Sequence, residues 1–285
     1  MSNTGAWVRV SWQERSVAAV RRGSVVLWLF GVATSRAAGQ RPASTSELQA
    51  ITARGQMLAG YDVAAWTATD QVMALKPPPG TITHYIARRT DRGWRVSFGH
   101  LSAARDTFLV VYLTAQEADS ASFTITTHDP PLPDTNYLLR AARARDVARS
   151  VFHGDERPYN VAVLPADGGE WWVYLYPAQT EEGVWPLGAD ARYRISADGT
   201  RIREERRLHR TIIDYRVPAG RTPVAMTHKA VLHEVPEDTD VMMVLRRRPS
   251  VPEIVVTNSF AYRIDVDGSV QYLGRNADLV RGDRP

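Results

Sequence analysis

The sequence of 285 residues predicts an α+β fold, mainly antiparallel sheet with two principal helices. Three observations predict this class. One long segment has apolar residues at helical spacing, and short runs of β-branched and aromatic residues separated by turns follow it. The chain is 44% apolar or aromatic, which is enough to bury a sizeable core. A helix followed by strands occurs at 47–127 and again at 135–214, a pattern compatible with two helix-plus-sheet units.

The first predicted helix begins after Ser44 and ends near Leu75. Ser44 and Glu47 have the spacing of a capping box, in which each side chain bonds the backbone N–H of the other residue. The run 77–80, three prolines and a glycine, then ends the helix. One apolar stripe repeats every seven residues along this helix and consists of Ile51, Leu58, Ala65 and Val72.

Strands are predicted on both sides of a second helix, which Asp134 caps and which runs to about Phe152. The segment 128–133 before it is predicted to be a loop. The core face of this helix is expected to hold Ala144, Val147, Ala148, Val151 and Phe152. The predicted strands are 82–88, 94–98, 108–113, 123–126, 161–164, 171–176, 193–196, 202–214, 242–245, 254–256 and 262–266.

Residues 1–37 have the features of a secretory signal peptide: paired arginines, a short apolar run and small residues before a cleavage point after Ala37. The alternative for the apolar run is a buried core strand. The leader also carries the excess of basic residues, because 38–285 has equal numbers of acidic and basic side chains. We therefore expect an exported protein, periplasmic or extracellular, that contacts the membrane only during export and binds no nucleic acid. The mature chain is divided into a linker at 38–46, a helix plus antiparallel sheet at 47–133 and an α+β region at 134–285.

The chain contains no cysteine, which excludes disulfides, thiol nucleophiles and thiolate metal ligands. It also lacks the common nucleotide-binding, serine-hydrolase and HExxH motifs. Histidines and carboxylates are left as candidates for chemistry. If 202–214 is one strand, Glu205 and His209 share a face, and the carboxylate could orient the imidazole for acid–base catalysis. The alternative is a solvated ladder of charges on an exposed sheet face.

A second candidate site lies in the segment 226–240, where Met-Thr-His-Lys is followed by Glu-Asp-Thr-Asp. This segment resembles the JAMM motif of the JAB/MPN metallopeptidases, His-x-His-Pro followed by Ser-x-x-Asp. The resemblance implies that His228 takes the place of the second histidine and Asp240 that of the aspartate. It also implies a zinc cofactor and hydrolase activity. The stretch 252–265 looks like the strands that follow the motif in that family.

The segment departs from the motif at four points. Met226 stands where the first histidine is expected, Lys229 replaces the proline and Glu237 replaces the serine. The gap between His228 and Asp240 is also one residue too long. A catalytic zinc site normally has three protein ligands, so the motif alone leaves one ligand missing. A loop of charged residues between two strands is the alternative interpretation.

Aromatic residues suggest a third candidate. Alternation along 171–176 places Trp172, Tyr174 and Tyr176 on one face of a strand, and Trp185 follows in the next segment. Such a face could line a binding groove, or it could be buried between a sheet and a helix.

Two functions follow from these patterns. The first is an exported, non-enzymatic binding or accessory module of the cell envelope, with an unknown envelope ligand or protein as partner and no cofactor. The alternative is a metal-dependent hydrolase of JAMM type, which would need zinc at His228 and Asp240.

Overall fold

A computed structural model describes residues 41–117, 122–217, 220–221 and 223–281. The predicted signal peptide and its cleavage point lie outside the described residues. Pro42 and the described residues that follow it belong to one compact unit. Among the described helices, none is both long and apolar enough to cross a membrane.

The first helix, α1, spans Thr45–Ala74 and confirms the prediction from sequence. Both halves of the capping box form, since the Ser44 hydroxyl accepts from the Glu47 N–H and the Glu47 carboxylate accepts from the Ser44 N–H. The whole predicted stripe is buried, from Ile51 to Val72. The helix is central to the molecule because it contacts all three four-stranded sheets.

Strands β1 (His84–Thr90), β2 (Gly93–Leu101), β3 (Phe108–Gln116) and β4 (Phe123–Asp134) form the first sheet, in that order and all antiparallel. The prediction of a loop at 128–133 is wrong, because these residues belong to β4. After a register shift in β3, Leu132 of β4 pairs with Val110 and Pro133 pairs with Leu109. Prolines are tolerated here because β4 is an edge strand, whose outward-facing positions need no N–H for a ladder bond.

Helix α2 spans Tyr137–Val151, and Asp134 does cap it, because its carboxylate accepts the backbone N–H groups of Leu138 and Leu139. Of its predicted core face, Ala144 and Ala148 are fully buried, whereas Val151 is exposed. The strands that follow are β5 (Tyr159–Pro165), β6 (Trp171–Pro177), β7 (Val184–Gly188), β8 (Ala191–Ile195) and β9 (Ile202–Arg207), with a short 3-10 turn at Asp167–Gly169.

The second sheet has the order β5-β6-β8-β9 and is antiparallel throughout. One of its faces packs against α1 and the other against α2. The single strand predicted at 202–214 is wrong: it is divided into β9 and β10 (Ile212–Arg216), and β10 pairs with β7. The chain turns inward between them, where Leu208 and His209 are buried and both bond to Asp190.

The third sheet consists of β11 (Met226–Lys229), β12 (Glu253–Val256), β13 (Phe260–Ile264) and β14 (Val270–Arg275), in that order. Only β11 and β12, among the described strand pairs, run parallel. They are connected through helix α3 (Asp238–Arg246), and a last helix, α4 (Asn276–Arg281), follows β14.

The strand predicted at 242–245 is therefore wrong, because these residues belong to α3. A capping box at the start of the helix, Glu237 with Asp240, decides its structure, whereas a four-residue apolar run fits helix and strand equally. The α+β class with mainly antiparallel sheets is confirmed.

Candidate metal centre

Three side chains from three segments meet inside the molecule: His209, His228 and Asp240. His209 lies in the inward turn between β9 and β10, His228 lies in β11, and Asp240 lies in the first turn of α3. The crossover from β11 through α3 to the parallel strand β12 brings the start of the helix back over β11. All three residues are buried.

The ligand atoms of these side chains face one another. Asp240 Oδ1 lies 3.0 Å from His209 Nε2 and 3.4 Å from His228 Nε2, and all three atoms lie within 4.8 Å of one another. None of the three atoms makes a hydrogen bond of acceptable geometry. Buried polar atoms without partners are costly, and three of them directed at one point could hold a metal ion between them.

The other ring nitrogen of His209 is held by a carboxylate. His209 Nδ1 lies 2.8 Å from Asp190 Oδ1, which also accepts the His209 backbone N–H. The second oxygen of Asp190 accepts from the Thr239 hydroxyl of α3. With its Nδ1 bonded in this way, His209 presents Nε2 to the centre.

His228 is oriented in the same way, by a carboxylate at its Nδ1. Its Nδ1 lies 2.9 Å from Glu253 Oε1, an oxygen that also accepts from the Tyr215 hydroxyl. The guanidinium of Arg247 donates to the second oxygen of Glu253. A carboxylate behind each histidine is the usual outer shell of a histidine metal ligand.

Asp240 is oriented by the capping box of α3. Its Oδ2 accepts the Glu237 backbone N–H at 2.8 Å, which leaves Oδ1 directed at the two imidazoles. Burial raises the pKa of the Glu237 side chain to about 7, although its ion pair with Arg206 acts in the opposite direction. The helix cap thus directs Asp240 Oδ1 at the two imidazoles and places the carboxyl group of Glu237 in the same turn.

The charges of the cluster favour a divalent cation. Asp190, Asp240 and Glu253 are carboxylates, and among the described residues Arg247 is the one guanidinium bonded to them, so neutral imidazoles would leave two negative charges. Without a metal, protons on the two histidines must compensate these negative charges. Burial by itself lowers the pKa of each histidine, but the adjacent carboxylates raise the pKa of both above the usual range. Burial acts to raise the pKa of Asp240, but the two histidines lower it to about 2.

The donor set fits a transition metal. Two imidazole nitrogens and one carboxylate oxygen are typical zinc ligands, and bonds of about 2.0–2.2 Å require ligand atoms a little over 3 Å apart. The two separations from Asp240 Oδ1, 3.0 and 3.4 Å, are close to this value, and the three ligand atoms lie within 4.8 Å of one another. Within the described ranges, this is the one group of His, Asp and Glu side chains placed to hold a metal ion.

The structure combines two sites that the sequence suggested separately. His228 and Asp240 lie together, as the JAMM resemblance implies, and His209 joins them. Glu205 lies away from this cluster: it is exposed on β9 and accepts a hydrogen bond from Tyr193. Met226 packs instead against a small apolar cluster. Asp190 and Glu253 carry no local signal, since each follows an ordinary turn or strand pattern.

The aromatic residues of β6 have a different environment. Tyr174 and Tyr176 are buried against α1, with their hydroxyls bonded to Asp238 and Asp62. Trp172 is partly buried below the guanidinium groups of Arg192 and Arg194. Trp185 and Tyr176 line a cavity of only about 40 Å³.

No protein-family model, curated protein or solved structure matches this chain.

Proposed function

We propose that the protein is a zinc metalloprotein whose ion is held by His209, His228 and Asp240 and whose centre supports hydrolysis. The observation that carries the proposal is the convergence of three buried ligand atoms without hydrogen-bond partners. The carboxylates behind both histidines support it, because they hold the rings in the orientation and tautomer that a metal needs.

Hydrolysis is favoured over a purely structural ion by the number of ligands. Structural zinc sites are usually closed by four protein ligands, whereas catalytic sites have three and keep a position for water. In such a site zinc supplies a bound water of lowered pKa. A fourth protein ligand is not present at this centre among the described residues. The competing proposal is a non-enzymatic envelope module without a cofactor; a structural ion that has no exchangeable position would also fit a non-enzymatic protein.

Metal content tests the first part of the proposal. The mature protein, residue 38 onward, is expected to contain one zinc per chain by elemental analysis after dialysis. His209→Ala, His228→Ala and Asp240→Ala should each lose it. His233→Ala is the matched control, because this histidine is only five residues from His228 but bonds to the Arg207 carbonyl instead. A wild-type protein that takes up no transition metal on dialysis against zinc, cobalt or iron would overturn the proposal.

Cobalt substitution tests the open position. The visible spectrum of Co²⁺ in the centre should change when azide or acetohydroxamate is added, because these anions displace water from the metal. A spectrum that is insensitive to both would support a closed ion and the non-enzymatic alternative.

We also propose that the protein is exported, on the strength of the leader at 1–37. Expression of the full chain should yield a protein outside the cytoplasm whose first residue, by mass spectrometry, is Ala38. A full-length chain in the cytoplasm would contradict export without affecting the metal proposal.

A further inference from the structure

A second site lies on a different part of the molecule, in a groove between the first three turns of α1 and the outer edge of β14. Its volume is about 530 Å³, within the range of about 300–1,000 Å³ that is usual for small-ligand sites. We propose that this groove binds a neutral saccharide.

The first argument is charge. None of the eleven residues that line the groove is charged, although 23% of the whole chain is. A lining without charged side chains has no full charge to pair with a phosphate, a carboxylate or an amine, so it does not favour a charged ligand. The lining is nevertheless polar, with amides from Gln49, Gln56 and Gln271 and hydroxyls from Thr45 and Thr52. Neutral hydrogen-bonding groups suit a ligand that is itself neutral and rich in hydroxyls.

The second argument is that several of these groups are fixed in place. Gln56 Nε2 donates to the Asp267 carbonyl, and Gln271 Nε2 donates to Asp265. Each amide therefore keeps its Oε1 as an acceptor for a ligand hydroxyl. Thr52 Oγ1 accepts the Val270 N–H and keeps its own proton to donate. Side chains that are ordered before binding lose little entropy when a ligand arrives.

The third argument is the aromatic ring of Tyr272, which is 40% exposed. Its ring is in contact with the rings of Phe260 and Tyr262, with ring centroids 6.0 and 5.7 Å away. A fixed, half-exposed ring offers an apolar platform for the C–H face of a sugar, while the amides bond its hydroxyls.

An extended peptide fits the groove less well. Added strands bond to the free backbone groups of a sheet edge, and β14 is the edge strand of its sheet. The Val270 N–H on this edge is already bonded to Thr52. A peptide would have to displace this bond, whereas a saccharide uses side chains.

Titration calorimetry of the mature protein tests the proposal, with chitotriose, cellotriose and maltotriose as neutral probes and trigalacturonic acid as an anionic one. At least one neutral trisaccharide should bind at millimolar concentration or better, and the anionic probe should bind more weakly. Tyr272→Ala should weaken binding about tenfold, the loss of one stacking contact. Tyr272→Phe should retain most of the affinity.

Trp66→Ala is the matched control, because Trp66 is also 40% exposed but lies outside the groove, further along α1. Its affinity should equal that of the wild type. The proposal is overturned if no neutral probe binds, if Tyr272→Ala binds as well as the wild type, or if the anionic probe binds more tightly. Binding should also persist after zinc is removed, since the two sites share no residue.

Discussion

At the scale of single residues, Asp190 and Glu253 hold the two histidines of the candidate metal centre in place. Each accepts a bond from the Nδ1 of one histidine, and each is itself fixed, Asp190 by Thr239 and Glu253 by Tyr215. Their negative charges also make the imidazoles better electron donors to a metal. The carboxylates would therefore act on a bound ion through the histidines.

We expect Asp190→Asn and Glu253→Gln each to lower zinc affinity by about 10–100-fold, the usual effect of losing an outer-shell carboxylate. Both substitutions keep an oxygen for the histidine and remove the charge. Competition with a chromophoric chelator measures the affinity.

Glu170→Gln is the control for these two variants, because Glu170 pairs with Arg194 and Arg203 and touches neither histidine. Its zinc affinity should equal that of the wild type. Unchanged affinity in Asp190→Asn and Glu253→Gln would remove these carboxylates from the metal site.

A separate residue cluster gives a prediction for acid stability. Burial tends to raise the pKa of Asp146, but bonds and charges from His84, Arg105 and Arg145 lower it to about 2. Since the pKa is lower in the folded state, Asp146 contributes stability above its unfolded pKa of 3.8 and loses it as the pH falls through 2. The contribution is roughly 2 kcal/mol.

Urea unfolding of the wild type and Asp146→Asn at several pH values measures this contribution. The wild type should be the more stable at pH 6, and the difference should shrink steadily between about pH 4 and pH 2. A difference that does not depend on pH would mean that the ionised carboxylate is not what stabilises the fold.

At the scale of elements, the contact between α1 and α3 positions Asp240. Gly55 of α1 faces the start of α3, and a Cβ built there would lie 2.6 Å from Val241 Cγ1 and 2.7 Å from the Asp238 carbonyl oxygen. Two opposed effects therefore act on Gly55→Ala. Helix propensity favours alanine by about 0.5–1 kcal/mol, whereas overpacking costs about 1–3 kcal/mol.

We expect overpacking to dominate, because the clash involves backbone and a β-branched side chain that cannot rotate away. Gly55→Ala should lower the free energy of unfolding by about 1–2 kcal/mol. It should also weaken zinc binding, since α3 would move with its Asp240. Chemical denaturation and the chelator competition measure the two effects. If Gly55→Ala is more stable than the wild type, helix propensity outweighs overpacking, and α1 and α3 can move apart at little cost in free energy.

The elements also show how far the sequence determines the fold. Helix α1 is predictable because its cap, its stripe and its proline stop are all local. Helix α3 is harder to predict, because its apolar run 242–245 is too short to distinguish a helical from a strand period. Its cap also uses Glu237 and Asp240 instead of the usual Ser or Thr with Glu. The turn at His209 is hidden because it depends on Asp190, a residue from another strand connection.

The candidate metal centre is likewise predictable only where its residues are close in sequence. His228 and Asp240 are close in sequence and can be paired by a motif, whereas His209 belongs to a separate segment that the motif does not contain. Only the tertiary fold, through Asp190 and Thr239, brings His209 to them.

At the scale of the whole molecule, the candidate metal centre brings together residues from two different parts of the fold. His228 and Glu253 belong to the third sheet, whereas His209 and Asp190 lie in connections next to the second sheet. The chain has no disulfide to hold these parts together. An ion bound by both parts would stabilise the folded state by an amount that depends on its free concentration over its dissociation constant.

The last prediction follows from this linkage. At a free zinc concentration 100–1,000 times the dissociation constant, binding contributes about 3–4 kcal/mol, so removal of zinc by a chelator should lower Tm by roughly 10 °C. Thermal unfolding of the mature protein, with zinc and after chelation, measures the shift. His233→Ala should behave as the wild type, and His209→Ala should melt at one temperature under both conditions. If chelation shifts the Tm of His209→Ala as much as that of the wild type, the stabilising ion is bound elsewhere.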